Sequence, residues 1–531
     1  MSQGSDPSTS AMRLYAIVYP LSHPTFRIPV LESVAKQHDI PITFFPLPPD
    51  SSRAFSIVAL PSDAAASTLL HRCTAIRNII HLWSVGTTRE GTISALQHSS
   101  SQRSYSHLQP PSLSWKADVA SLGLRLTADE KRSIIDSCRF LDFEGPINLS
   151  KPDFEWCWYE ERWGIEGAHM TDRVHASQAQ ALRLVVVGRK ITAEPPLASG
   201  SKSQPPTLAR DWIDRLDLKK RSYIGNTSME SEMSLAMAQM AMSAPGKIIY
   251  DPFVGTGSLV VAAAALGAYV MGSDIDGRMI RGKGKEVKED PGCWKETGVL
   301  RAARQYGLEG RFLDCLTCDI TQHPWRLLHP SAASSSGAGP SRPAFLDAII
   351  ADPPYGVRAG AKRLGHRDVA RQRDTPYWLE EKGGYSHEQE DYVPPTRPYA
   401  LNDLLDDLLS FASRMLKEGG RLVFWMPGRR RAKAKASTAP VPTGPEWDLI
   451  AVSVQDFGKW ARRLVTLQLK PRGAAEAVDD GQAKAATAGD GDASSAQRRS
   501  EGQSQFDATT GRYKGNVDQK DFRNQYFGPR G

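Results

Sequence analysis

The stretch Lys247-Ile248-Ile249-Tyr250-Asp251-Pro252-Phe253-Val254-Gly255-Thr256-Gly257-Ser258-Leu259-Val260-Val261-Ala262 decides the fold. An apolar strand runs into an acidic residue, two glycines permit a tight turn, and an apolar helix begins at Ser258, so the order is strand, glycine turn, helix. Such a turn lets backbone amides approach a ligand closely. The dinucleotide pattern G-x-G-x-x-G is not completed, because position 260 is valine. A nucleoside cofactor without a pyrophosphate is therefore a better reading than a nicotinamide. Downstream, 268–273 reads as a second strand ending at Asp274, whose carboxylate can accept from both ribose hydroxyls. Residues 315–318 read as a third strand ending at Asp319, placed to meet an adenine amine.

About a hundred residues on, the buried-strand pattern Phe345-Leu346-Asp347-Ala348-Ile349-Ile350-Ala351 ends in Asp352-Pro353-Pro354-Tyr355-Gly356. Asp352 then falls just past a strand's carboxyl end, where open α/β sheets bind ligands. An aromatic exocyclic amine is a poor nucleophile because its lone pair is delocalised into the ring. Hydrogen bonds to the Asp352 carboxylate and the Pro353 carbonyl favour the pyramidal amine and hold its developing positive charge. Pro353 and Pro354 fix the backbone so that these acceptors converge, and Tyr355 stacks on a base extruded from its helix. The sheet continues legibly. Leu404, Leu405, Leu408, Phe411, Ala412 and Met415 make a helix face that Gly419-Gly420 end, 421–426 is a buried strand, and 449–454 with 464–469 form a terminal antiparallel pair. The total is about seven strands.

With 531 residues, 40% of them hydrophobic, the chain can bury more than one core. A net charge of +7 suits a polyanionic partner without proving one. The six cysteines are scattered, and the lone pair Cys315/Cys318 lacks the second pair that a structural zinc site needs, so neither disulfides nor a metal is expected. No window approaches about 18 uninterrupted apolar residues and no targeting segment opens the chain, which points to a cytosolic or nuclear protein without membrane contact. The domains read as an α/β region over 1–190, a linker over 191–207, the nucleoside-binding domain over 208–470 and a mostly disordered tail over 471–531. A polar insert at 331–343 is excluded from the fold. In the first region a strand is expected at 12–19, a helix over 64–80, a loop over 99–111, and a capped helix from Thr127 to about Ser137, because Thr127-Ala128-Asp129-Glu130 is a capping box.

The string 219–230 (Lys-Lys-Arg-Ser-Tyr-Ile-Gly-Asn-Thr-Ser-Met-Glu), together with 251–258, 272–276 and 352–356, resembles the catalytic subunit of eukaryotic tRNA guanine-10 N2-methyltransferases. Residues 115–123 and 140–146 resemble that family's THUMP-type RNA-binding region. The resemblance covers most of 12–470. It implies a THUMP-type α/β region followed by a Rossmann-like, seven-stranded domain using S-adenosylmethionine, with tRNA as substrate, in a cytoplasmic heterodimer with a small zinc-containing activator protein. It assigns cofactor contacts to Asp251, Phe253, Gly255, Thr256, Gly257, Asp274 and Asp319, and catalysis to Asp352, Pro353, Pro354 and Tyr355. Arg358, Lys362, Arg363, Lys219, Lys220 and Arg221 are the basic residues expected to meet RNA phosphates. Two other readings stay open: methylation of another planar amine (adenine N6 or a glutamine amide), which the same clamp serves, and an RNA-binding protein without catalysis.

Overall fold

The computed structural model describes residues 12–47, 53–123, 125–163, 181–192, 208–225, 227–282, 298–325, 344–354, 360–366, 375–389, 394–428, 444–457, 460–471 and a few shorter pieces. They form two compact units, 1–211 and 212–531.

The first unit is built on β1 (Arg13–Val18), β2 (Thr43–Phe45), β3 (Phe55–Leu60), β4 (Asn78–Gly86), β5 (Trp115–Leu122), β6 (Phe154–Trp163) and β7 (Ala181–Lys190), in the order β2-β3-β1-β4-β7-β6-β5. β5 pairs parallel with β6, and the other neighbours are antiparallel. Helices α1 (Arg27–Gln37), α2 (Asp63–Arg72), α3 (Arg89–Leu96), α4 (Ser99–Tyr105) and α5 (Ala128–Ser137) complete it. Strand periodicity gives the sheet a core on each face. Trp156 and Trp158 pack with Trp83, Val185 and Val187, whereas Cys157 and Tyr159 pack with Ala16, Val18 and Val186.

Two expectations fail here. The helix read over 64–80 stops at Arg72: the Cys73 amide closes on the Leu69 carbonyl (2.9 Å), and the Arg77 amide already donates to Val18 of β1 (2.8 Å). Ile79 and Ile80 therefore belong to β4, because the sheet offers their backbone partners that the helix does not. The stretch read as a loop over 99–111 forms α4 and a 3₁₀ turn over Ser106–Leu108, tied to α3 by the buried Tyr105 hydroxyl donating to the Leu96 carbonyl (3.2 Å). The Thr127 capping box is present as read, with the Thr127 amide donating to Glu130 Oε2 (2.8 Å) and the Glu130 amide to Thr127 Oγ1 (3.2 Å).

The second unit carries β8 (Ile248–Asp251), β9 (Tyr269–Asp274), β10 (Phe312–Thr317), β11 (Leu346–Ala351), the short β12 (Lys362–Leu364), β13 (Trp378–Leu379), β14 (Gly384–Tyr385) and β15 (Thr396–Pro398), then β16 (Leu416–Gly428), β17 (Trp447–Asp456) and β18 (Ala461–Leu469). Its main sheet has seven strands in the order β10-β9-β8-β11-β16-β18-β17. Pairing is parallel from β10 to β16, and β18 is antiparallel to both β16 and β17. Its helices are α6 (Asp211–Arg215, starting at the unit boundary), α7 (Ser231–Met240), α8 (Ser258–Ala265), α9 (Gly277–Arg281), α10 (Gly298–Gln305) and α11 (Leu401–Met415). The expected face of α11, from Leu404 to Met415, packs with Tyr250, Leu346, Ile349 and Leu422. The helix ends at Met415 rather than at Gly419-Gly420. The chain turns directly into β16, with Gly419 at φ 75° bending that strand's first residues. The 331–343 insert lies outside the described residues. In the tail, Phe506–Asp507 pairs with Arg512–Tyr513.

Candidate active site

Chain order reverses between β8 and β11, because β9 and β10 extend the sheet on one side of β8 and β11 lies on the other. The crevice outside the carboxyl ends of those strands is the ligand position of an open α/β sheet. Three carboxylates are delivered there by neighbouring strands: Asp274 ends β9, Asp251 ends β8, and Asp352 follows β11.

The glycine loop is organised by these carboxylates. Asp251, 1% exposed, accepts from the Phe253 amide through Oδ1 (2.9 Å), and its Oδ2 has no hydrogen-bond partner among the described residues. Asp274 accepts from the Gly255 amide through Oδ2 (2.9 Å) and from the Asp276 amide through Oδ1 (2.8 Å). The Val254 amide donates to Ser273 (2.8 Å) and that of Gly257 to Val254 (2.7 Å). The amides of Phe253, Val254, Gly255 and Gly257 are thus committed inside the loop, so the glycines supply space more than donors. Gly255 has φ 50°, and a Cβ there would meet nothing nearer than the Phe253 carbonyl at 3.8 Å. At Gly257, φ is 81° and a Cβ would stand 2.6 Å from Val299 Cγ1 of α10. Gly257→Ala is accordingly expected to cost on the order of 3 kcal/mol, from a left-handed backbone plus forced repacking. Chemical denaturation read with a cofactor titration checks it, and wild-type values of both would remove Val299 as the wall behind the loop.

One of the basic residues expected to meet phosphate sits elsewhere than the sequence suggested. Arg221 is 7% exposed and faces inward, with Nη2 donating to the Thr256 carbonyl (2.5 Å) and Nη1 to Ser258 Oγ (3.0 Å). It braces the glycine loop instead of presenting charge to a phosphate. Burial lowers its pKa to about 10, which leaves it charged at neutral pH. Lys219 and Lys220 beside it are exposed. Asp319, 3% exposed, has both oxygens engaged: Oδ1 by the amide and hydroxyl of Thr321 (2.8 and 2.9 Å), Oδ2 by the Leu364 amide of β12 (2.6 Å). It fastens the segment that follows the Asp352 motif, with Oδ1 doubly engaged and one lone pair of Oδ2 left for an adenine amine. Lys362 is exposed, and Arg363 lies over the Tyr399 ring at 5.3 Å. Phe253 is partly buried, Thr256 is 3% exposed, Pro353 is buried and Pro354 half-buried. Tyr355 and Arg358 lie outside the described residues.

The sequence reading missed Ser228, whose hydroxyl joins Thr256 Oγ1 (2.7 Å) and accepts from the Gly225 amide (2.8 Å). The only signal was its place inside the 219–230 string.

Burial is the first cause that pushes Asp251 well above the ordinary carboxylate range, and the neighbouring charges of Asp274 and Asp352 add to it. Asp274 is raised as well, by burial first. Each carboxyl therefore keeps a proton in the fold that the unfolded chain has released, so over the window between the two values stability falls as pH rises. A cationic, hydrogen-bond-donating ligand binds the ionised forms. Its affinity is thus expected to rise with pH through that window and then level off, with proton release in calorimetry run in buffers of different ionisation enthalpy; pH-independent affinity would rule out coupling to these carboxyls.

The fold and this crevice define a Rossmann-like methyltransferase. Residues 13–191 match the Tmrp11 THUMP N-terminal domain, and residues 219–305 match the RMKL-like methyltransferase domain. The chain is similar to the tRNA (guanine(10)-N(2))-methyltransferase of Saccharomyces cerevisiae, with 33% identity over 86% of this chain and 92% of the relative. For the Schizosaccharomyces pombe enzyme of the same name the identity is 36% over 68% of this chain and 62% of the relative. For Homo sapiens TRMT11 it is 32% over 78% and 79%. The chain belongs to the tRNA (guanine(10)-N(2))-methyltransferase family. Among the described residues no helix is long and apolar enough to cross a membrane, and no cluster of metal-ligating side chains occurs.

Proposed function

We propose that this chain is the catalytic subunit that transfers a methyl group from S-adenosylmethionine to the exocyclic N2 of a guanosine in tRNA, at position 10. The observation that carries the cofactor is the gathering of Asp251, Asp274 and Asp352 at adjacent strand ends with an unsatisfied, buried Asp251 oxygen. Such a crevice suits a ligand bearing a sulfonium and an ammonium and repels a pyrophosphate. When bound, the cofactor supplies an electrophilic methyl on positively charged sulfur. Asp274 would hold the ribose hydroxyls, Asp251 would accept from the ammonium, and the room at Gly255 admits the ligand to the loop. Asp352 and the Pro353 carbonyl would accept from the amine and hold its charge as the nitrogen becomes tetrahedral, after which solvent takes the proton.

The unit containing the THUMP match would bind tRNA, and 208–470 would form the catalytic domain behind a 191–207 linker. Exposed Lys219, Lys220 and Lys362, with Arg358 and Arg363, would meet phosphates near the extruded base. A small zinc-containing activator as heterodimer partner and a cytoplasmic location follow from the family resemblance. The test is incubation with labelled S-adenosylmethionine and total tRNA, with and without the co-expressed activator, followed by nucleoside digestion. N2-methylguanosine is the expected product, label on adenine or protein would transfer the clamp to another planar amine, and no label in either preparation would leave an RNA-binding protein.

A further inference from the structure

Asp352 does not stand alone at its strand end. β18 runs antiparallel to β16, with Arg462 registered opposite Pro427, so the first residues of β18 reach the same end of the sheet as the carboxyl end of β11. From there the Arg462 guanidinium brings Nη1 to 3.9 Å from Asp352 Oδ2, on a side chain only 12% exposed. Its other contacts fix it. The guanidinium lies 4.0 Å from the ring centroid of Trp425, which is fully buried, in a cation–π arrangement. Nε donates to Gln455 Oε1 (2.7 Å), and Gln455 Nε2 donates in turn to Glu230 Oε1 (2.9 Å) at the start of α7. Gln455 is the cross-strand partner of Arg462 on β17 and is itself 7% exposed, so its amide is used in both directions and its orientation is fixed.

We propose that Arg462 is a positioning residue for methyl transfer, holding the Asp352 carboxylate toward the incoming amine through the chain Glu230–Gln455–Arg462. The proposal rests on the reading of Asp352 given above. The separation matters chemically: 3.9 Å is within ion-pair reach but too long for a hydrogen bond, so the guanidinium fixes and balances the carboxylate without occupying the lone pairs that the amine needs. A cation here also offsets the repulsion among Asp352, Asp251 and Asp274. A phosphate-binding role fits poorly, because the side chain is mostly covered and faces a carboxylate.

The experiment is single-turnover methylation by the full chain, in the preparation that shows activity, at saturating cofactor and tRNA. Arg462→Gln is expected to lower the rate on the order of 10²-fold, the scale of a displaced reacting group, with cofactor Kd and tRNA KM unchanged. Arg462→Lys should recover about tenfold of that loss by restoring the charge without the fork, and Gln455→Leu should fall between Arg462→Lys and the parent. A rate within twofold of the parent for Arg462→Gln, while Asp352→Asn is inactive, overturns the proposal. An effect confined to tRNA KM and its salt dependence also overturns it, in favour of a phosphate contact. Should Arg462→Gln fail to fold, Arg462→Lys and Gln455→Leu decide the matter: parental rates in both overturn it. Activity surviving in Asp352→Asn would instead overturn the underlying reading of the clamp.

Discussion

Asp352→Asn and Asp352→Ala are each expected to lower methyl transfer by about 10³-fold or more, or about 4 kcal/mol of transition-state stabilisation, while leaving cofactor affinity close to that of the parent. The guanine N2 lone pair is part of the ring's π system, and attack on a methyl group requires that conjugation to be given up. Acceptors that bind the pyramidal amine more tightly than the planar one lower the barrier, and this is differential binding in the strict sense. Asn keeps the shape of Asp352 but halves its accepting capacity and removes its charge, so the positive nitrogen loses its counter-charge. Cofactor binding should be spared, because the residues proposed to hold the cofactor, Asp251 and Asp274, lie on β8 and β9 rather than on β11. Relief of the like charge felt by Asp251 makes slightly tighter cofactor binding the more natural direction of change. Single-turnover rates alongside calorimetric cofactor titrations separate the two effects. Equal losses in both would mean that Asp352 organises the crevice as a whole, and retained turnover would remove the clamp from the mechanism.

What could be read from the sequence was what is locally encoded. The strand, turn and helix around 247–262 and the Thr127 capping box depend on neighbours within a few residues, and the structure contains both. The face of α11 was legible for the same reason, since a 3.6-residue period is printed in the order of its leucines. The failures share a physical cause. Ile76, Ile79 and Ile80 fit a helical stripe, yet the unpaired edge of β1 captures 78–81 into a sheet, a partner about sixty residues away that periodicity cannot see. Asp319 follows β10 as expected, but its tie to Leu364, which comes from a segment beyond the insert, has no local signal in the sequence. The positioning chain from Glu230 to Arg462 joins residues more than two hundred positions apart, with no motif to announce it.

Arg221→Ala is expected to weaken cofactor binding by on the order of 10²-fold and to lower stability by about 3 kcal/mol, while leaving the salt dependence of tRNA binding unchanged. In the sequence it closes the run Lys219-Lys220-Arg221, which looks like a phosphate contact. In the fold its two neighbours stay exposed while its own side chain turns inward. Its guanidinium spans the Thr256 carbonyl and the Ser258 hydroxyl, on either side of Gly257, and Ser258 also accepts from the Met229 amide (3.2 Å). Truncation leaves the buried Thr256 acceptor without this donor, at about 1–3 kcal/mol, and adds a cavity behind the loop that the cofactor must meet. Lysine is not an adequate substitute, because one ammonium cannot reproduce the planar fork that reaches both acceptors. The contrasting variant is Lys362→Ala with Arg363→Ala, at positions where β12 follows the Asp352 motif. That pair should leave cofactor affinity intact and reduce the salt slope of tRNA binding by about one to two released counterions. Measuring cofactor Kd and the tRNA salt slope for both variants assigns each cation by its signature. A flattened slope with parental cofactor affinity in Arg221→Ala would return Arg221 to the RNA surface and leave the loop to be braced by Asp251, Asp274 and Ser228.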